Sequence, residues 1–122
     1  MTERTILIVD DSVSIRQMVS YTLSQAGFTA VEAGHGVEAL QQLDTHRVDL
    51  VITDLNMPTM DGITFIRELR RRPECRFTPV LMLTTESQAA KKQEGKAAGA
   101  TGWIVKPFNP DQLLQVIAKV VR

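Results

Sequence analysis

The sequence is poor in the residues that build disulfides and soft metal sites. Cys75 is the only cysteine among 122 residues, which excludes an internal disulfide and every multi-cysteine metal site. It lies in the polar connection RRPECRF, where we expect an ordinary loop thiol. The only two histidines, His35 and His46, have no second ligand nearby in sequence. We therefore expect both to be solvated surface residues rather than metal ligands.

The sequence also lacks an excess of charge and a long apolar run. It has 14 Lys+Arg and 14 Asp+Glu, so no electrostatic footprint indicates sequence-independent binding to nucleic acid or to a membrane. No run is long enough for a membrane span, and the first residues do not resemble a signal peptide. We expect a cytoplasmic protein without nucleic-acid or membrane partners. Its length and its 43% hydrophobic content predict a single domain over residues 1–122, with no output domain.

Short apolar runs alternate with segments of helical periodicity along the chain. The runs are typical of strands buried on both faces, and they lie at residues 5–9, 29–33, 48–52, 79–83 and 103–105. Asp11 or Ser12 is expected to cap the first helix, Gly27 to end it, and Asn109 to cap the last one. This alternation predicts an α/β domain, with a parallel sheet and helices on both of its faces.

Three polar segments are interpreted as structural. The Gly34-His35-Gly36 segment lacks the rest of a dinucleotide fingerprint and is predicted to be a turn. The run Arg70-Arg71-Arg72 is expected to be the solvated end of a helix, because basic residues suit that end of the helix dipole. The helix predicted over Ser87 to Ala98 has only alanine as its apolar residue and contains Gly95. Few large side chains anchor it, so we expect it to be among the most mobile elements.

Chemically useful side chains follow four of the predicted strands. Asp10 and Asp11 follow the first, Asp54 the third, Thr84 the fourth and Lys106 the fifth. In a parallel sheet these strand ends share one edge, so we expect the side chains to converge. Clustered carboxylates repel unless a cation neutralises them, and an all-oxygen cluster suits Mg²⁺. With an ammonium, a hydroxyl and a carboxylate nucleophile added, the set fits phosphoryl transfer. The alternative is a coincidence of turn residues.

These residues carry a resemblance to a known family. The matching elements are Asp10-Asp11-Ser12, Asp54 to Pro58 followed by Met60-Asp61-Gly62, Thr84-Thr85 and Lys106-Pro107-Phe108. Together they resemble response-regulator receiver domains, most closely the stand-alone chemotaxis regulators of the CheY type. The resemblance covers essentially the whole chain. It implies the flavodoxin-like strand order 2-1-3-4-5, of which CheY is itself an example.

The resemblance also implies roles for the residues at the strand ends. Asp54 would be the phosphoacceptor. Mg²⁺ would be bound by Asp11, Asp54 and the backbone carbonyl of Asn56, with Asp10 acting largely through water. Lys106 would pair with the phosphoryl group, and its bond to the following proline would be cis.

Four further implied roles concern switching and signal lifetime. Thr84 would be the switch hydroxyl, and Trp103 stands where the family commonly has a switch Tyr or Phe. The indole keeps the aromatic body but loses the phenol hydroxyl, so the alternative that Trp103 only covers the sheet edge stays open. Asn56 and Glu86 occupy the positions that tune hydrolysis, and they favour fast self-dephosphorylation.

The implied function is a phosphorylation-activated switch, not an enzyme in the ordinary sense. A histidine kinase would donate the phosphoryl group and a phosphatase could remove it. The surface of the fourth helix, last strand and last helix would bind a downstream protein, and the flagellar motor switch is the expected partner. The expected residues of this surface are Lys91, Lys92, Trp103 and Lys119. Alternatives are a phosphorelay shuttle or a regulator of another partner. An aspartate-nucleophile phosphohydrolase is less favoured, since Asp10 and Asp11 are adjacent and no length remains for a cap domain.

Overall fold

The computed structural model describes residues 4–85 and 89–121 as alternating strands and helices. In chain order the elements are β1 (Thr5–Val9), α1 (Val13–Gln25), β2 (Thr29–Ala33), α2 (Gly36–Thr45), β3 (Leu50–Asp54), α3 (Gly62–Arg70), a short 3₁₀ turn (Pro73–Cys75), β4 (Val80–Thr84), α4 (Ala89–Ala98), β5 (Gly102–Val105) and α5 (Pro110–Val120). None of the helices in these two described ranges is both long and apolar enough to cross a membrane.

The strands form one parallel sheet in the order β2-β1-β3-β4-β5. The predicted flavodoxin-like order is therefore confirmed. The third strand begins two residues later than predicted and includes Asp54, because pairing with β4 continues as far as the Asp54–Leu83 position. Asp54 is therefore the last residue of a fully buried strand, whereas the sequence pattern placed it just after the strand.

Side chains of the strands alternate between two hydrophobic layers, as the period of two requires. On one face, Leu7, Val9 and Met82 belong to a core shared with α2 and α3. On the other face, Ile6 and Ile8 belong to a core shared with α1 and α5. The prediction that helices cover both faces is thus confirmed, and the carboxyl edge of the sheet lies between the two layers.

The predicted helix boundaries follow local chemistry. The Ser12 hydroxyl caps α1 by accepting from the Ile15 N–H, and Gly27 follows that helix with a φ of +94°. Asn109 and Gln112 form a reciprocal capping box at the start of α5. The choice between Asp11 and Ser12 as the cap of α1 is therefore decided in favour of Ser12.

The prediction that Cys75 is an ordinary loop thiol is wrong. The 3₁₀ turn folds the side chain inward, and Cys75 is buried in the core shared with α2 and α3. Its neighbours Glu74 and Arg76 are exposed. Burial raises the pKa of the Cys75 thiol above its ordinary value, with the nearby Glu74 adding to the shift.

The arginine run after α3 is also more than a solvated helix end. The Arg70 guanidinium is partly buried and donates to the carbonyl oxygens of Gly99 (2.8 Å) and Cys75 (2.7 Å). Arg72 donates to the Asp44 carboxylate at 2.7 Å and to the Leu40 carbonyl oxygen at 3.1 Å. Only Arg71 is exposed as expected. The two guanidinium groups thus join the end of α3 to neighbouring elements through backbone carbonyl oxygens.

The fourth helix is sparsely anchored, as predicted from its composition. Among residues 90–98 of α4, whose burial the structure describes, only Gly95 is buried. A Cβ atom there would overlap the Sδ of Met82 in β4. Lys91 and Lys92 lie in the first half of the helix, where Lys91 is exposed and Lys92 is half-buried.

Candidate functional site

The carboxyl edge of the sheet brings Asp10, Asp54 and Lys106 into direct contact. The Lys106 Nζ lies 3.4 Å from Asp10 Oδ2 and 3.3 Å from Asp54 Oδ1. These three residues follow or end β1, β3 and β5, and Lys106 is 96 residues from Asp10 in sequence. The predicted convergence of strand ends therefore occurs, with the ammonium group placed between two carboxylates.

Asp11 joins the same group of acids. One carboxylate oxygen from each of Asp10, Asp11 and Asp54 can be chosen so that the three atoms lie within 4.8 Å of one another. Asp10 and Asp54 are buried, whereas Asp11 is exposed and faces solvent at the mouth of the cluster. Three oxygen ligands with one open side suit Mg²⁺, which normally keeps several waters.

The two buried aspartates are held by backbone donors. Asp54 Oδ1 accepts from the Leu55 N–H at 2.8 Å, and Asp10 Oδ1 accepts from the Ser12 N–H at 2.9 Å. Both carboxylates are thereby oriented by the turn that follows their own strand. Such bonds reduce the freedom of the side chains before any ligand arrives.

The electrostatic state of Asp54 indicates that the cluster lacks positive charge. Burial and the neighbouring Asp10 raise the pKa of the Asp54 carboxyl above its usual value. The Lys106 ammonium and the Leu55 N–H act in the opposite direction without cancelling the shift. A divalent cation would supply the missing charge, so the residues present fit Mg²⁺.

Thr84 ends β4 beside this cluster. Its side chain is fully buried, and its Oγ1 has no hydrogen-bond partner within the described part of the chain. The Thr84 carbonyl oxygen accepts from the backbone N–H of Lys106, which fixes the two residues side by side. A buried hydroxyl without a partner is costly unless another state of the protein supplies an acceptor.

The loop between β3 and α3 has an unusual backbone. Asn56 is exposed in this loop, and Thr59 has a φ of +72°. The Met60 N–H donates to the Pro58 carbonyl oxygen at 2.7 Å, so Thr59 is the central residue of a three-residue turn. Within the described residues, no hydrogen bond or ion pair joins the Asn56 side chain to the acidic cluster. Glu86, the second predicted tuning residue, lies outside the described residues.

The bond between Lys106 and Pro107 is cis, as the resemblance implied. The Lys106 side chain is partly buried, with 21% of its area exposed.

Trp103 lies outside the acidic cluster and points toward α4. Its side chain is 43% exposed, and the Lys92 Nζ lies 5.2 Å from the ring centroid, within the range of a cation–π contact. Lys91 pairs with Glu94 at 3.4 Å, and Lys119 is exposed near the end of α5. The four residues predicted to bind a partner thus lie on α4, β5 and α5.

Arg16 contacts the edge of this site but was not among the residues predicted from the sequence. Its Nη1 donates to the Asp10 carbonyl oxygen at 2.6 Å, and its Nε lies 3.2 Å from Glu32 Oε1. A signal for it was available, since Arg16 lies between the apolar residues Ile15 and Met18 on a helix that packs against the sheet. A charged residue so close to an apolar face needs a partner.

Comparison with known proteins gives consistent relatives. The chemotaxis response regulator CheY4 of Vibrio cholerae has a solved structure that is 52% identical, covers 98% of this chain and 100% of that chain, and gives a TM-score of 0.94. Chemotaxis protein CheY1 of Helicobacter pylori is 38% identical over 118 residues, 95% of each chain. The phosphate regulon transcriptional regulatory protein PhoB of Escherichia coli is 40% identical over 119 residues, 98% of this chain.

The relatives differ in length. The chain spans nearly all of CheY1 and CheY4 but only 52% of PhoB. Residues 6–118 match the response regulator receiver domain, and this range includes the acidic cluster and all of the sheet except Thr5. The chain belongs to the response regulator receiver domain family.

Proposed function

We propose that this chain is a phosphorylation-activated switch in which Asp54 accepts a phosphoryl group from a histidine kinase. The observation that carries the proposal is the position of Lys106, whose ammonium lies 3.3 Å from Asp54 Oδ1 and 3.4 Å from Asp10 Oδ2. A cation held between two acids can follow negative charge as it moves from a carboxylate to a phosphoryl oxygen.

The reaction requires a nucleophile and a leaving group. A carboxylate oxygen of Asp54 forms a bond to phosphorus, while the P–N bond of the kinase phosphohistidine breaks. The departing imidazole takes up a proton, and the product on Asp54 is an acyl phosphate. Lys106 neutralises negative charge on the transferred group, and the Leu55 N–H keeps the Asp54 carboxylate in place.

Asp10, Asp11, Asp54 and the backbone carbonyl of Asn56 are the proposed holders of Mg²⁺. When bound, the ion supplies positive charge that offsets the repulsion between the aspartates and the incoming phosphoryl oxygens. The exposed Asp11 leaves the open side of the cluster accessible to a kinase.

The proposed switch begins at Thr84. Its buried hydroxyl, which has no acceptor among the described residues, can donate to a phosphoryl oxygen on Asp54. To make this bond, the Thr84 side chain moves toward Asp54, which changes the packing between β4 and β5. The change alters the surroundings of Trp103, which contacts Lys92 on α4. The surface that responds comprises Lys91, Lys92, Trp103 and Lys119. We further propose that Asn56 and Glu86 tune the lifetime of the phosphorylated state.

Chemotaxis is the proposed pathway, with the flagellar motor switch as the downstream partner and a phosphatase ending the signal. This choice is supported by the likeness to CheY4 over nearly the full length of both chains. The likeness to PhoB supports a second candidate, a receiver unit that serves another output. A phosphorelay shuttle would use the same acceptor chemistry.

Incubation with a small phosphodonor and Mg²⁺ tests the acceptor. Mass spectrometry should detect one added phosphoryl group on the wild type and none on Asp54→Asn. Asp111→Asn is the matched control, because Asp111 is an exposed acid outside the cluster. Labelling of the Asp54→Asn variant would contradict the assignment.

The output is tested separately through Trp103, the only tryptophan. Its fluorescence is followed while an N-terminal peptide of a flagellar motor-switch protein is added, with and without phosphodonor. Tighter binding to the phosphorylated wild type than to Asp54→Asn is the expected result. A donor-dependent emission change without peptide binding would retain the receiver chemistry and reject the motor switch as partner.

A further inference from the structure

Arg16 connects three separate elements at the edge of the acidic cluster. It lies in α1, its Nη1 donates to the Asp10 carbonyl oxygen after β1 at 2.6 Å, and its Nε pairs with Glu32 of β2 at 3.2 Å. The side chain is only 18% exposed. A guanidinium can serve both partners at once because its donors diverge in a fixed plane, which an ammonium cannot reproduce.

The contact matters because of where Asp10 lies. The Asp10 N–H donates to the Ala33 carbonyl oxygen, its Oδ1 accepts from the Ser12 N–H, and its carbonyl oxygen accepts from Arg16. The carbonyl of Asp10 belongs to the peptide bond that leads into Asp11. The Arg16 bond therefore sets the orientation of the backbone between the two acidic residues.

The surroundings hold the guanidinium in this position. A Cβ atom on Gly34 would lie 3.3 Å from Arg16 Nη1, so the glycine leaves room for the arginine. The Gly34 N–H donates to Glu38 Oε1 at 2.6 Å, which fixes the loop that flanks the arginine. On the side of β2, the ion pair with Glu32 restricts the orientation of the guanidinium.

We infer that Arg16, held by Glu32, is a positioning residue that sets Asp10 and Asp11 for binding a divalent cation. The inference rests on the proposed function, since it assigns a support to the proposed Mg²⁺ site. Arg16 does not touch the reacting atoms. Its contribution is the preset direction of the Asp10–Asp11 peptide, without which the exposed Asp11 carboxylate is free to turn away from the cluster.

Calorimetric titration with Mg²⁺ alone tests the inference. Arg16→Lys keeps the charge but cannot bridge Asp10 and Glu32, and we expect the dissociation constant for Mg²⁺ to rise about tenfold, the lower end of the range for residues that orient metal ligands. Glu32→Gln should raise it less, because the bond to Asp10 remains. Glu32→Gln is the more conservative substitution, so it still tests the inference through the Mg²⁺ dissociation constant if Arg16→Lys does not fold.

Arg72→Lys is the matched control. Arg72 also donates to a carboxylate, that of Asp44, and to a backbone carbonyl oxygen, that of Leu40, with a second carboxylate, that of Glu74, at 4.0 Å. It is similarly buried, at 24% exposure, but lies at the far end of α3 from the acidic cluster. The control should lose thermal stability as Arg16→Lys does, while its Mg²⁺ dissociation constant stays within about twofold of the wild type.

A neutral variant separates positioning from electrostatics. Arg16→Gln removes a positive charge close to the acids, and loss of charge alone would tighten binding of a cation. Loss of positioning weakens binding instead, so weaker Mg²⁺ binding by Arg16→Gln is expected. Wild-type affinity in both Arg16 variants would overturn the inference and leave the proposed function intact. Absence of Mg²⁺ binding by the wild type would overturn both.

Discussion

Gly95 of α4 lies directly against the buried side chain of Met82 in β4, so closely that a Cβ atom at position 95 would overlap the methionine sulfur. Gly95→Ala should therefore destabilise the protein by about 1 kcal/mol, the lower end of the range for overpacking, because the buried end of the Met82 side chain must move to make room even though alanine favours a helix. Urea denaturation measures the effect. The control Gln93→Ala changes an exposed position of the same helix and should not destabilise. A Gly95→Ala variant as stable as the wild type would show that α4 packs more loosely.

The Lys92 ammonium holds a position over the Trp103 ring, and this contact should be measurable in solution. Lys92→Gln is expected to shift Trp103 emission and to increase quenching by acrylamide, with a stability loss of about 0.5–1 kcal/mol. Lys91→Gln removes an equal charge whose partner is Glu94, and it should leave the emission unchanged. Equal responses from both variants would assign the effect to charge rather than to contact with the ring.

The raised pKa of Asp54 has a consequence for stability without Mg²⁺. A carboxyl whose pKa is higher in the folded state than in the unfolded state destabilises the fold when ionised, and this penalty fades as the pH falls through its folded-state pKa. Asp54→Asn should therefore melt a few degrees above the wild type near neutral pH in a chelator. The difference should shrink on acidification. Melting followed by circular dichroism tests this, and a lower melting temperature for Asp54→Asn would contradict it.

Thr59 has a φ of +72°, a region that β-branched residues rarely occupy. Asn tolerates this conformation better, so Thr59→Asn should stabilise the protein by about 1 kcal/mol. The same substitution at Thr64, an exposed position within the right-handed helix α3, should give no gain. Thermal melting compares the two variants. If Thr64→Asn stabilised the protein and Thr59→Asn did not, the positive φ of Thr59 could not be the cause of the effect.

The buried Cys75 should react slowly with thiol reagents. The thiolate is the reactive form, and burial both raises the pKa of the thiol and blocks access to it. Labelling of the native protein should be much slower than labelling in denaturant. The double variant Cys75→Ser with Ser24→Cys moves the only thiol to an exposed position and should label rapidly without denaturant. Fast native labelling of Cys75 would show that the 3₁₀ turn opens readily.

The positions of the strands and the convergence of the site residues could be predicted because both depend on short-range patterns. Buried apolar runs identify the strands, and the parallel arrangement places Asp10, Asp54 and Lys106 at one edge whatever the details of packing. The family resemblance supplied the strand order that periodicity alone leaves open.

What could not be predicted consists mainly of side chains that bind distant backbone carbonyls. Arg16, Arg70 and Arg72 each donate to a carbonyl oxygen on another element, and nothing in a sequence pattern marks the acceptor. The burial of Cys75 was missed for a related reason, since its depth depends on a 3₁₀ turn within a polar segment. The strand end at Asp54 was misjudged because pairing with β4 extends the strand past its apolar run.

The two charges that meet at the site come from opposite ends of the chain. Asp10 follows the first strand, whereas Lys106 follows β5, the last strand and one edge of the sheet. A chain that has not yet added β5 to the sheet can present the acids without their ammonium, but it cannot present the complete site. The complete set of charges therefore exists only when β5 has joined the sheet, and a partly folded chain without that strand cannot hold the Lys106 ammonium against the two aspartates.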